Sequence, residues 1–154
     1  MSGMEKKRRV VIYRDETKQE KVLEIVQESK IAIVRVVYSV FGSQGNLLGK
    51  FKRNHFTDGF RRKLHCLRPD GAVWFSAWED STFLSILRRV LPLDSFMIPT
   101  NYNLMGSDTG RKLGEFNRTS ALLDKHVLDI SEDRSKYIDR RVALACAVLL
   151  DTNI

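Results

Sequence analysis

Cysteine, histidine, proline and long apolar runs are all scarce in this chain, and each scarcity narrows what it can be. The two cysteines, Cys66 and Cys146, stand eighty residues apart with no metal-ligand spacing around either. That favours a reduced, cytoplasmic setting over a disulfide framework. The three histidines, His55, His65 and His126, are isolated as well, so no metal or other cofactor is expected. The longest uninterrupted apolar run is the nine residues from Val142 to Leu150, whereas a bilayer-spanning helix needs roughly twenty. No transmembrane segment is expected, and no apolar stretch follows the basic N-terminus to make a secretory signal. There is no nucleophile motif, no phosphate-binding loop and no conspicuous carboxylate pair, so no catalytic residue is nominated and the chain is not read as an enzyme. Helix-turn-helix, zinc-finger and RNP-type motifs are missing too, which makes nucleic acid the weaker class of partner.

What is present is an ordinary globular composition of 154 residues, 43% apolar and 29% charged. This is enough for one domain with a real core. We read residues 1–9 as a flexible basic N-terminus and 10–154 as a single domain. The net charge of +7 is unevenly placed. Lys6, Lys7, Arg8 and Arg9 crowd the N-terminus, and a second block contains Lys50, Lys52, Arg53, Arg61, Arg62, Lys63 and Arg68 against Asp58 alone. Such a block favours anionic partners, unless it is merely a solvated face.

The patterning is mostly that of strands. Val10 to Arg14 reads as a short strand, and Thr17 to Glu28 fits helix and strand equally. Ile31 to Phe41 is β-branched and alternates, with Ala32, Val34, Val36, Tyr38 and Val40 on one face. Gly42 to Asn46 is a turn, and Leu47 to Arg53 returns as a strand, making a hairpin. Lys63 to Leu67, the turn Arg68-Pro69-Asp70-Gly71 and Ala72 to Glu79 make another. Ser81 to Leu91 has helical spacing, with Ser81 as a cap and Pro92 as a stop. Phe96 to Leu104 and Leu113 to Thr119 form a further pair, and Lys125 to Ile130 adds one more strand.

Two stretches match each other at an offset of 65 residues: Gly45 to Arg53 and Gly110 to Arg118, both of the form G-x-x-L-G-x-F-x-R. Gly42-Ser43 matches Gly106-Ser107 after a one-residue slip. The first glycine of the motif permits positive φ in a turn. The second, inside a strand, marks a bulge or a close backbone approach. Phe and Arg, two apart, share a face. For Arg53 and Arg118 a salt bridge at a barrel rim is expected ahead of an anion contact. Two equivalent hairpins imply a pseudo-symmetric all-β domain.

The C-terminal segment, Lys136 to Asp151, reads as a helix capped by Asp133 or Ser135. From Val142 to Leu150 it has no polar face, so it must be enclosed by other elements, and its alanines let them approach closely.

The run Leu113 to Arg118, then Val127 to Ile130, then Ile138 to Ala145 resembles the tubby C-terminal-like superfamily, which includes LURP-one-related and phospholipid scramblase-like proteins. The similarity spans roughly residues 10 to 152. It implies a closed antiparallel β-barrel of about twelve strands around a buried C-terminal helix. It also implies the expected function: a non-enzymatic, cytoplasmic module that binds anionic phospholipid or another anionic ligand, peripheral to a membrane, with a scramblase-like protein as the alternative. An unknown protein partner is a further expectation. The candidate anion-binding residues are Lys50, Lys52, Arg61, Arg62 and Lys63. Asp129, Ser131, Asp133 and Ser135 alternate as calcium ligands do, but Arg134 and Arg140 occupy positions that an EF-hand loop gives to Gly and Glu, so no calcium site is expected.

Overall fold

The computed structural model describes residues 8–31, 35–54, 63–80, 101–120 and 125–152. They form nine antiparallel strands, each paired to its neighbour in the chain, and one helix. The strands are β1 (Arg9–Tyr13), β2 (Lys21–Ile31), β3 (Arg35–Gly42), β4 (Leu47–Asn54), β5 (Lys63–Leu67), β6 (Val73–Glu79), β7 (Tyr102–Gly106), β8 (Lys112–Ser120) and β9 (Lys125–Asp129). The helix α1 covers Arg140–Asp151. The ambiguous stretch from Thr17 resolves as strand β2, because both of its edges find partners: Ile25 stands opposite Val10 in β1 and Val40 in β3. The helical segment expected from Ser81 to Leu91, and the start of the strand expected from Phe96, lie outside the described residues.

Alternation places one side chain in two against the helix. Leu23 and Ile25, Tyr38 and Val40, Phe51, Leu64 and Cys66, Phe75 and Ala77, and Tyr102 and Leu104 are all buried on that inner face. Phe51 and Phe75 meet edge-to-face at 6.2 Å. The helix lies against β2, β3 and β4 at one end of the strand order and against β9 at the other. The sheet therefore curls around it.

Two expectations are corrected here. The closed barrel of about twelve strands is not formed: among the described residues the sheet has nine strands, and β1 and β9 share no ladder. Closure would bring these two edge strands within the roughly 4.8 Å ladder spacing, but β1 pairs only with β2 and β9 only with β8. The segments readable in the sequence, with β2 counted as a strand, already number nine; the larger figure came from the resemblance alone. Nor is the helix enclosed on every side. Ala143, Ala145, Cys146 and Leu149 are buried, but Leu144 is 38% exposed, and Arg140, four residues before it on the same face, is exposed too.

The cap is also displaced. Asp139, not Asp133 or Ser135, begins α1, its carboxylate accepting from the Arg141 backbone N–H at 2.9 Å. Asp133 is occupied one turn earlier: its two oxygens accept from the Tyr137 and Ile138 N–H groups at 2.8 and 2.9 Å. Lys136, at φ 53°, breaks the helical path between them.

Candidate functional site

The internal repeat builds two hairpins of one design. In β3–β4, Tyr38 faces Phe51, Ser39 faces Lys50, Val40 faces Gly49 and Phe41 faces Leu47. In β7–β8, Tyr102 faces Phe116, Asn103 faces Glu115, Leu104 faces Gly114 and Met105 faces Lys112. Both registers slip at the same place, leaving Leu48 and Leu113 as the extra residues of two β-bulges, and both leucines are buried. The first glycines, Gly45 and Gly110, have φ of 81° and 61°, as their turn positions require. The second glycines admit a neighbouring strand. A Cβ on Gly49 would lie 2.9 Å from the Leu67 carbonyl oxygen, and one on Gly114 would overlap that of Asp129. The structural repeat reaches further back than the sequence motif: Tyr38 and Tyr102 are equivalent and both buried.

The outward positions carry the charge. Lys50 and Lys52 share the outer face of β4, as their spacing predicts, with Lys52 opposite His65 of β5. Lys63, at the start of β5, stands opposite Trp78 of β6 and places its ammonium 4.6 Å from the indole centroid. His65 Nδ1 and the Ser76 hydroxyl are 2.8 Å apart. Lys50 is partly neutralised: Glu28 lies 3.3 Å away and also accepts from the buried Ser39 hydroxyl. Three of the five nominated residues, Lys50, Lys52 and Lys63, thus meet on one face of β4–β5. Arg61 and Arg62 lie outside the described residues. Sequence reasoning missed Glu28 and Trp78 as members of this face. The signal for Trp78 was its alternation with the inward Phe75 and Ala77.

Other charged residues have structural roles. Arg53 points inward and donates from Nη2 to the Leu149 carbonyl at 2.7 Å. It tethers the end of α1, where the helix dipole favours a cation. At the other end, Arg68 donates to the Tyr137 hydroxyl at 2.9 Å, and that hydroxyl donates to Asp108 at 2.6 Å. The Tyr137 hydrogen bond, with Arg68 beside it, holds the Asp108 carboxyl below the usual carboxylate range. Trp74 closes the cluster by donating from Nε1 to the Tyr137 carbonyl at 3.0 Å. Asp129 is held low by the Ser131 backbone N–H that it accepts. Two of the four alternating Asp and Ser residues therefore turn their carboxylates to backbone donors, which explains them without a cation. Burial pushes the Cys146 thiol up to about 12, and raises that of Cys66 as well. Neither is set up as a thiolate nucleophile.

No family model, curated protein or solved structure matches the chain. Among the described residues, no helix is long and apolar enough to cross a membrane.

Proposed function

We propose that the chain is a non-enzymatic binding module that presents the outer face of β4–β5 to anionic phospholipid or another anionic ligand, peripheral to a cytoplasmic membrane surface. One observation carries this reading: at equivalent positions of the two hairpins, β4 holds Lys50 and Lys52 where β8 holds Glu115 and Asn117. The two hairpins share their inner side chains but not these outward ones, so the basic pair is not required by the hairpin design itself. Lys63 beside them adds a third cation, and Arg61 and Arg62 immediately precede it in the chain. Each basic residue near an anionic bilayer contributes on the order of 1 kcal/mol. The contribution of Lys50 is reduced by Glu28, so attachment is weak and reversible.

The test is sedimentation with neutral and anionic vesicles at low and high salt. Binding to anionic vesicles alone, weakening as the Debye length falls below about 8 Å, is the expected result. Replacing Lys50, Lys52 and Lys63 with Glu should abolish it. Equal binding to both vesicle types, or an unaffected triple variant, rules out this face as the site.

A further inference from the structure

We infer that the Trp78 indole is the apolar anchor of this face, entering the headgroup region of an anionic bilayer while Lys50, Lys52 and Lys63 engage the phosphates around it. The inference rests on the reading above and names a bilayer, rather than a dissolved anion, as what the face takes.

Three observations support it. The first is placement. Trp78 is 43% exposed, whereas Phe75 and Ala77, its neighbours of opposite parity on β6, are fully buried. A lone exposed apolar residue needs no explanation, but this one stands directly across from Lys63, two residues along β5 from His65, which faces Lys52. The second is the pairing itself. With the Lys63 ammonium 4.6 Å from the ring centroid, charge and indole are presented together. Tryptophan concentrates at membrane–water interfaces because its ring is apolar and its N–H polar, and lysine extends its charge past an apolar neighbour. The third is curvature. The sheet wraps the helix on its inner side, so the face bearing Trp78 is convex. Small ligands are enclosed by concave sites, whereas a convex, cationic face with a projecting aromatic is complementary to a broad anionic surface.

The experiment uses the full chain and vesicles of three parts phosphatidylcholine to one of phosphatidylserine, with inositol hexakisphosphate as a soluble polyanion. Trp78→Ala should lower vesicle binding about tenfold, the loss of roughly half an indole of apolar burial, and leave binding of the soluble polyanion within about twofold. Bromine-labelled acyl chains should quench tryptophan fluorescence in the wild type. In Trp78→Phe, where Trp74 is the remaining tryptophan, quenching should vanish. Unchanged vesicle binding by Trp78→Ala, quenching that persists in Trp78→Phe, or equal loss of vesicle and polyanion binding would each overturn the anchor while leaving the charged face standing. A wild type that binds no anionic vesicles would remove the underlying reading and the anchor with it.

Discussion

Hairpins β3–β4 and β7–β8 repeat the same buried side chains in the same register, yet their outward side chains diverge. Tyr38 and Tyr102, Val40 and Leu104, Leu48 and Leu113, Gly49 and Gly114, and Phe51 and Phe116 correspond one to one. Outward, Ser39 answers to Asn103, Lys50 to Glu115 and Lys52 to Asn117. The inner positions share one requirement, because each hairpin must bulge at its glycine and fill the space beside the helix. The outer positions follow local partners instead, as where the buried Ser39 donates to Glu28. The loops differ as well: the second is one residue longer, and it carries the Asp108 that accepts from Tyr137. The first hairpin instead approaches the helix directly, with Arg141 Nη1 3.5 Å from where a Cβ on Gly42 would lie.

If the inner faces are equivalent, Phe51→Ala and Phe116→Ala should give the largest losses and similar ones, about 3–5 kcal/mol each. Urea denaturation measures both; a loss confined to one would break the equivalence. Ala145→Arg, which places a charge among the buried residues of α1, should unfold the protein or cost several kcal/mol. A wild-type melting temperature for that variant would contradict the burial of the helix.

The glycines sharpen the comparison. A Cβ on Gly114 would strike two backbone atoms, overlapping the Asp129 oxygen and lying 2.9 Å from Ile130 Cα, whereas one on Gly49 meets a single backbone oxygen at 2.9 Å. Gly114→Ala should therefore cost about 2–3 kcal/mol and Gly49→Ala about 1, part of each loss being offset by the poor strand propensity of glycine. The reverse order in denaturant midpoints would mean that β9 gives way more readily than β5.

A smaller effect is expected at the helix cap. Asp139→Ala should cost about 1 kcal/mol at neutral pH. The Asp139 carboxyl is held low, first by the Arg141 side chain, which bonds it at 2.8 Å. Its charge thus stabilises the fold above the ordinary carboxylate range, and that stability is lost as pH falls through the depressed folded value. Asp139→Asn, which keeps a capping oxygen, should be less stable than wild type at neutral pH and converge with it in acid. A difference independent of pH would show that the charge contributes nothing.

The smallest stability change belongs to the outer face. Exchanging Lys52→Asn, which copies an outward residue of the second hairpin onto the first at the position away from Glu28, should move stability by about 0.5 kcal/mol or less, yet weaken binding to anionic vesicles. Stability loss comparable to that of the glycine variants would mean that the two outer faces are not interchangeable.

Much of the fold was legible in single stretches of chain. Alternation in Val36 to Phe41, the G-x-x-L-G-x-F-x-R repeat and the all-apolar Val142 to Leu150 identify a strand, paired bulges and a core helix, because each depends on local period or on the φ that glycine alone adopts freely; the single strand expected from Ile31 to Phe41 is corrected, since Ile31 ends β2 and stands opposite Arg35, where β3 begins. Other features were not legible for the same reason. The segment from Thr17 suits two periods, and only the ladders on both its edges select strand. Asp133 and Asp139 are both acceptable caps by type; which one serves depends on where the chain turns, at Lys136. Arg53 has a partner 96 residues away in the helix, which no local pattern encodes. Trp78 was visible as an aromatic on an alternating strand, but not as the neighbour of Lys63.

The sequence by itself determined most of the strands and their hairpin pairs, the bulge glycines, the apolar helix and the shared face of Lys50 and Lys52, all consequences of side-chain type and spacing along one chain. Tertiary structure alone decided that the sheet curls around the helix, that Leu144 remains exposed, that Glu28 tempers Lys50, and that Lys63 meets Trp78. These depend on register between strands and on which surfaces compete to cover the helix, quantities that arise only when distant segments come together.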